Sequence, residues 1–209
     1  MQPRRIAREL ALLALSQLPQ KPERLTTQDL QTVVVAAVRT LAGEAQDALE
    51  TAATELKRGR DRLLASEIQA VDVQSARAMV TEAITLAEMA VNRLGMVLDL
   101  PEFVQLANQQ QVRDFSLDIL KQVLTHRTAI DHLLETALVD WQLNRLAQID
   151  RNILRIAVAE ILYLKTPTQV TINEAVELAK RYSDEDGYRF VNGVLRRTIP
   201  HLEAQAQGT

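Results

Sequence analysis

Residues 149–202 read IDRNILRIAVAEILYLKTPTQVTINEAVELAKRYSDEDGYRFVNGVLRRTIPHL, and this stretch decides the fold. Three short helical patterns follow one another in it. In the first, Asp150 stands where an N-cap belongs, and Ile153, Leu154, Ala157, Ile161 and Leu164 fall on one face. In the second, Thr171 and Glu174 have the spacing of a capping box, ahead of a stripe of Ile172, Ala175, Val176, Ala179 and Tyr182. The third carries Tyr188, Val191, Val194 and Leu195, with Pro200 placed to stop it. Gly193 inside this helix costs about 1 kcal/mol against Ala, which a close helix–helix approach would explain.

Working outward, Phe115, Ile119, Val123, Ile130, Leu133, Leu134 and Leu138 predict one or two helices with a joint near His126. Trp141 and Leu143 lead from there into the Asp150 helix. At the other end, Pro3 suits a helix start, and Ile6, Leu10 and Leu13 mark a first helix that runs to Leu18, ended by Pro19 and Pro22. Between these parts lie two long amphipathic patterns. Thr26 with Asp29 opens one, with Leu30, Val34, Leu41, Leu49, Ala52 and Leu56 as its seam. After a break near Ala70–Asp72 the other carries Val80, Ile84, Ala87, Val91, Leu94 and Leu98, and Asp99-Leu100-Pro101 closes it. The two seams are expected to bury each other as an antiparallel hairpin. Domain boundaries follow: 1–24 with 105–202 as one helical domain, 25–104 as an inserted hairpin, and 203–209 as a disordered tail.

The chain has 209 residues, 47% hydrophobic but only 3% aromatic, with six Gly and six Pro. Ala, Leu, Val and Ile supply the apolar content, which suits helix on helix, and too few turn residues remain for a β protein. The fold class is therefore all-α. No Cys is present, so disulfides, thiolate catalysis and cysteine metal sites are excluded. No uncharged run reaches the ~20 residues that cross a bilayer, and Arg4, Arg5 and Arg8 interrupt any leader-like segment. The expectation is a soluble, cytoplasmic protein. The net charge of −3 argues against wholesale coating of nucleic acid, so any such site must be a local patch.

Catalysis finds no constellation. His126 and His132 are not at the three- or four-residue spacing of helical metal ligands, and the glycines form no phosphate-cradling loop. Asp184 and Asp186 read as a solvated loop. No catalytic residue, metal site or cofactor is expected. The arginines differ. Arg4, Arg5 and Arg8 crowd a helix start, where the macrodipole already concentrates positive potential and free N–H donors attract phosphate. Towards the C-terminus, Lys180, Arg181, Arg189, Arg196 and Arg197 are interleaved with Tyr182, Tyr188 and Phe190, a mixture that suits single-stranded RNA.

The wording of these segments resembles a known family. Leu154-Arg155-Ile156-Ala157 followed by Glu160, then Ile172 through Lys180, then Phe190-Val191-Asn192-Gly193-Val194-Leu195 is similar to the signature of the NusB family. The Arg4–Leu12 segment resembles that family's arginine-rich first helix, and Asp131 through Trp141 with Arg145 and Leu146 resembles the helix before the signature. The resemblance covers about 1–20 and 112–200, and implies a NusB-like helical bundle with 25–104 as an inserted long antiparallel helical hairpin. It implies a non-enzymatic transcription antitermination factor that binds single-stranded boxA RNA of ribosomal RNA operons. The implied partners are NusE, a small-subunit ribosomal protein, and the elongation complex of NusA, NusG and RNA polymerase. Carried over, RNA falls to Arg4, Arg5, Arg8, Asp186 and Phe190 with Arg189 beside them, and NusE to Asp150, Arg151 and Glu160 on the helix at 150–164. A competing reading is a helical scaffold or accessory module for ribosomal RNA processing or modification, acting through protein contacts.

Overall fold

The computed structural model describes residues 2–18, 26–97, 100–138 and 141–207, and among them there is no strand. The chain divides into two compact units, residues 1–38 with 106–209 and residues 39–105.

The first unit is built around two helices, α1 (Pro3–Gln17) and α7 (Gln148–Leu162). Pro3 opens α1 at the first helical position, where its missing N–H costs nothing. Ile6, Leu10, Leu12 and Ala14 are fully buried and the charged residues Arg8 and Glu9 nearly so, so the middle of α1 is surrounded rather than half-solvated. Pro19 and Pro22, expected to end it, lie outside the described residues. α7 packs against α1, α5 (Gln110–Thr125), α6 (Arg127–Ala137), α8 (Thr168–Tyr182) and α9 (Gly187–Gln207). Every residue from Arg151 to Glu160 is buried. Each fully buried Ile or Leu in such a helix contributes about 1.5–3 kcal/mol. The joint near His126 is real: it ends α5, and its ring stacks on Tyr163 at 3.8 Å. A single 3-10 turn, Leu143–Arg145, leads into α7.

Several local expectations are corrected. α8 starts three residues before Thr171, with Pro167 as its N-cap. Thr171 is therefore buried inside the helix, and its hydroxyl donates to the Pro167 carbonyl at 3.3 Å. Glu174 is released from any capping role and faces α1 instead. Likewise Asp150 lies in the first turn of α7, behind an N-cap at Ala147, and accepts a 2.5 Å hydrogen bond from Ser183. Pro200 does not stop α9, which continues to Gln207 through most of the stretch expected as a tail. The close approach expected at Gly193 is absent, since a Cβ there would meet only the Arg197 guanidinium at 3.6 Å. Gly187 is the crowded position: a Cβ would lie 1.9 Å from Ser183 Oγ and 2.6 Å from Ser183 Cβ.

The second unit contains most of α2 (Thr27–Ile68), all of α3 (Val73–Val97) and most of α4 (Leu100–Ala107). Thr26 and Asp29 form the reciprocal cap expected of them, the Thr26 N–H donating at 2.8 Å and the Asp29 N–H returning at 3.2 Å. These bonds hold the Asp29 carboxyl below the usual range. Asp72 caps α3 by accepting from the Ser75 N–H at 2.6 Å. Asp99 lies outside the described residues. Of the expected seam of α2, Leu30, Val34, Leu41 and Ala52 are buried, but towards the hairpin turn the large residues are not. There Ala52, Gly59, Ala83 and Ala90 are buried, whereas Leu49, Leu56, Ile84, Val91 and Leu94 are exposed. The reason is close approach. A Cβ on Gly59 would stand 3.1 Å from the Ala83 carbonyl oxygen, leaving no room for a larger residue at position 59.

Candidate nucleic-acid interface

The three arginines of α1 have three different environments. Arg8 is 3% exposed, and its guanidinium grips Glu160 at 2.7 and 2.8 Å, with Glu174 3.5 Å from its other amino group. Arg5 forks onto Glu174 at 3.1 and 3.0 Å with its side chain partly exposed, and that bond raises its pKa further. Arg4 is exposed and lies over the Phe115 ring, 5.2 Å from its centroid. Arg8 is thus a core residue, and of the three only Arg4 and Arg5 offer a cation to solvent. The helical spacing that places Arg4 and Arg8 on one face is correct, but that face dips into the interior after one turn.

The next residue ties α1 to the end of α8. Glu9 is buried, accepts from the Tyr182 hydroxyl and pairs with Arg181 at 3.0 Å. Burial pushes its carboxyl above the ordinary value, against the lowering by Tyr182 and Arg181. Arg181 and Tyr182 are thereby anchored at the C-terminal end of α8, beside Lys180, which pairs with Glu177 at 2.8 Å.

The start of α9 completes the surface. Arg189 is highly exposed, donates to Asp186 at 3.0 Å and to the Tyr188 hydroxyl at 2.9 Å, and its guanidinium lies 5.5 Å from that ring's centroid. Lys180 approaches the other reach of Tyr188, 6.0 Å from its centroid. Phe190 is half-buried and meets Trp141 edge to face, with centroids 6.3 Å apart. Trp141 is 58% exposed. Reading for apolar periodicity had treated it only as a lead-in to α7. The signal that could have found it is its place between the polar residues Asp140 and Gln142, ahead of Leu143, outside any apolar stripe. Exposed aromatic faces beside solvated guanidinium groups stack bases and contact phosphates.

The residues expected on the partner side are not equivalent. Asp150 is half-buried and engaged with Ser183. Arg151 is 8% exposed, donates weakly to the Leu143 and Asn144 carbonyls at 3.5 and 3.4 Å, and leaves its buried Nε without a partner among the described residues. Burial and the nearby Arg155 lower its pKa. Glu160 is fully buried and held by Arg8, so it has no free atom to give a partner and acts in the core. Asp131 organises the neighbouring cleft by a two-point bond to Arg155 at 2.7 and 2.8 Å. Among the described residues no group of His, Asp or Glu has the geometry of a metal site, and no helix is long and apolar enough to cross a membrane.

The described residues of the first unit form an all-helical bundle around α1 and α7, with the residues that resemble the NusB signature on α7 to α9. Residues 74–200 match the NusB family. The chain is 98% identical over its whole length, and the whole of the relative's, to a transcription antitermination protein NusB of Cyanothece sp.. It is 66% identical to that of Acaryochloris marina, covering 97% of this chain and 98% of the relative. A solved structure of NusB from T. maritima is 34% identical over 52% of this chain and 80% of its own, with a TM-score of 0.42. The chain belongs to the NusB family.

Proposed function

We propose that the chain is a transcription antitermination factor without enzymatic activity, acting in the cytoplasm. In this reading it binds single-stranded boxA-type RNA of ribosomal RNA operons together with NusE, and joins NusA, NusG and RNA polymerase to support read-through. The observation that carries the reading is the exposed Trp141, edge to face with half-buried Phe190, on the same unit as the Tyr188, Arg189 and Asp186 cluster. Single-stranded RNA needs a stacking face and a neighbouring cation, and both are present there. Arg4 and Arg5 supply further cations at the α1 terminus. NusE falls to the first turn of α7, around Asp150 and Arg151.

The test is fluorescence binding of a boxA oligoribonucleotide across a salt series, with and without NusE. Arg4→Ala with Arg5→Ala should weaken binding and reduce the log–log salt slope by about 0.7 per lost phosphate contact. Trp141→Ala should weaken it through stacking, by about 1–3 kcal/mol, with the slope unchanged. Unaltered affinity in both variants would refute the assignment of this face.

A further inference from the structure

The hairpin of the second unit has two unlike faces. Its ion pairs, Glu55 with Arg93 at 2.9 Å and Arg62 with Glu82 at 2.5 Å, bridge α2 and α3 on one side of the Ala/Gly seam. At 100° per residue, Leu49, Leu56 and Leu63 fall on the opposite shoulder of α2. They recur every seven residues, so they form a continuous stripe. Ile84 and Val91 fall on the matching shoulder of α3, with Val73 further along. These side chains are in water: Leu56 is 46%, Ile84 55% and Val91 62% exposed. Two parallel apolar stripes on one face of a hairpin make half of a four-helix core.

The charges flanking that face are ordered. On the rim of α2 stand Arg60 and Glu67, and on the rim of α3 stand Arg77 and Glu88, all exposed. Cross-seam contacts set their levels: Gly59 meets Ala83 and Leu86, and Arg62 meets Glu82. Arg60 therefore stands within about a turn of the level of Glu88, and Glu67 level with Arg77. A twofold axis along the hairpin lays α2 of one copy over α3 of the other. It brings Arg60 to Glu88 and Glu67 to Arg77, twice each, while the leucine stripe covers the Ile84–Val91 stripe. We propose that this face is covered by the same face of a second copy of the chain, in a symmetric antiparallel four-helix assembly.

The test is the mass of the full chain by sedimentation velocity and light scattering, from about 1 to about 200 µM, the range of weak to moderate association. A concentration-dependent dimer is expected. Replacing Leu49, Leu56 and Leu63 together by Gln should weaken it at least about tenfold, as for loss of a central apolar anchor. Helical circular dichroism should stay the same, because Gln is a good helix former and these side chains stand about half in solvent. Reversing one rim, Arg60→Glu with Glu67→Lys, should weaken the dimer, and adding Glu88→Lys with Arg77→Glu should restore it. A monomer throughout the range would overturn the proposal and leave the face to a different partner. A dimer indifferent to the leucine changes, or a fourfold charge swap that fails to restore association, would overturn it as well.

Discussion

Arg8 and Glu160 meet in the interior of the first unit, joined by two hydrogen bonds of 2.7 and 2.8 Å, at 3% and 0% exposure. They lock the centre of α1 to the end of α7. Breaking such a pair from one side leaves a buried charge without compensation, a loss of about 3–5 kcal/mol. Arg8→Ala is therefore expected to lower the urea midpoint sharply, while the double change Arg8→Met with Glu160→Leu restores much of the loss. RNA affinity, measured where each variant is folded, should stay near the parent value, which separates Arg8 from Arg4 and Arg5.

Glu9 gives the fold a pH dependence of definite sign. Its carboxyl is raised above the ordinary value mainly by burial, so the folded state holds its proton more tightly than the unfolded one. Its contribution is fully present below the unfolded value near 4.5 and is lost as pH rises through the folded value. Urea midpoints of the parent minus those of Glu9→Gln should fall across that window and then level off. A difference that rises with pH would show that Arg181 and Tyr182 outweigh burial.

Gly187→Ala should destabilise by about 1–3 kcal/mol, because the new methyl overlaps both heavy atoms of the Ser183 side chain. It also displaces the Ser183 hydroxyl from Asp150. Adding Ser183→Gly removes the clash, so the double variant should be more stable than Gly187→Ala alone. Thermal midpoints of the three proteins decide it.

The boundary of the hairpin can be placed by excision. Leu30, Val34 and Ala37 are buried and belong to the first unit, although they lie on α2. Joining Val38 to Leu106 through a short flexible linker should leave a cooperatively folding first unit, since closure entropy grows slowly with loop length. Removing 26–104 should cost more stability, because those three side chains go too. Equal denaturation curves for the two shortened chains would show that the first turns of α2 contribute nothing.

Element existence was legible wherever a local signal controlled it: Pro3, the Thr26–Asp29 cap, the break before Asp72 and the joint at His126. The beginning of α8 was misread because Thr171 and Glu174 have capping spacing. Pro167 nevertheless takes the non-helical N-cap position, with the preceding Thr166 kept out of the helical region by the proline ring, and so sets the boundary first. The fate of the arginines was legible only in part. Spacing places Arg4 and Arg8 on one face, yet which of them is solvated depends on Glu160 and Glu174, far along the chain. The hairpin seam was read in part: Leu41 and Ala52 are buried as expected, but periodicity ranks leucine above glycine and alanine, whereas the close approach at Gly59 has no room for a side chain at that position.

The proposed RNA surface carries its own counterions. Arg5 rests on Glu174, Arg181 on Glu9 and Arg189 on Asp186. A phosphate arriving there exchanges one anion for another instead of filling an unoccupied field. At Arg5, Arg181 and Arg189 such a surface gains little from an arbitrary polyanion, because each new contact there is offset by a carboxylate set loose. On this proposal, net gain comes where bases also find the aromatic faces, so an unpaired strand is favoured over bulk nucleic acid.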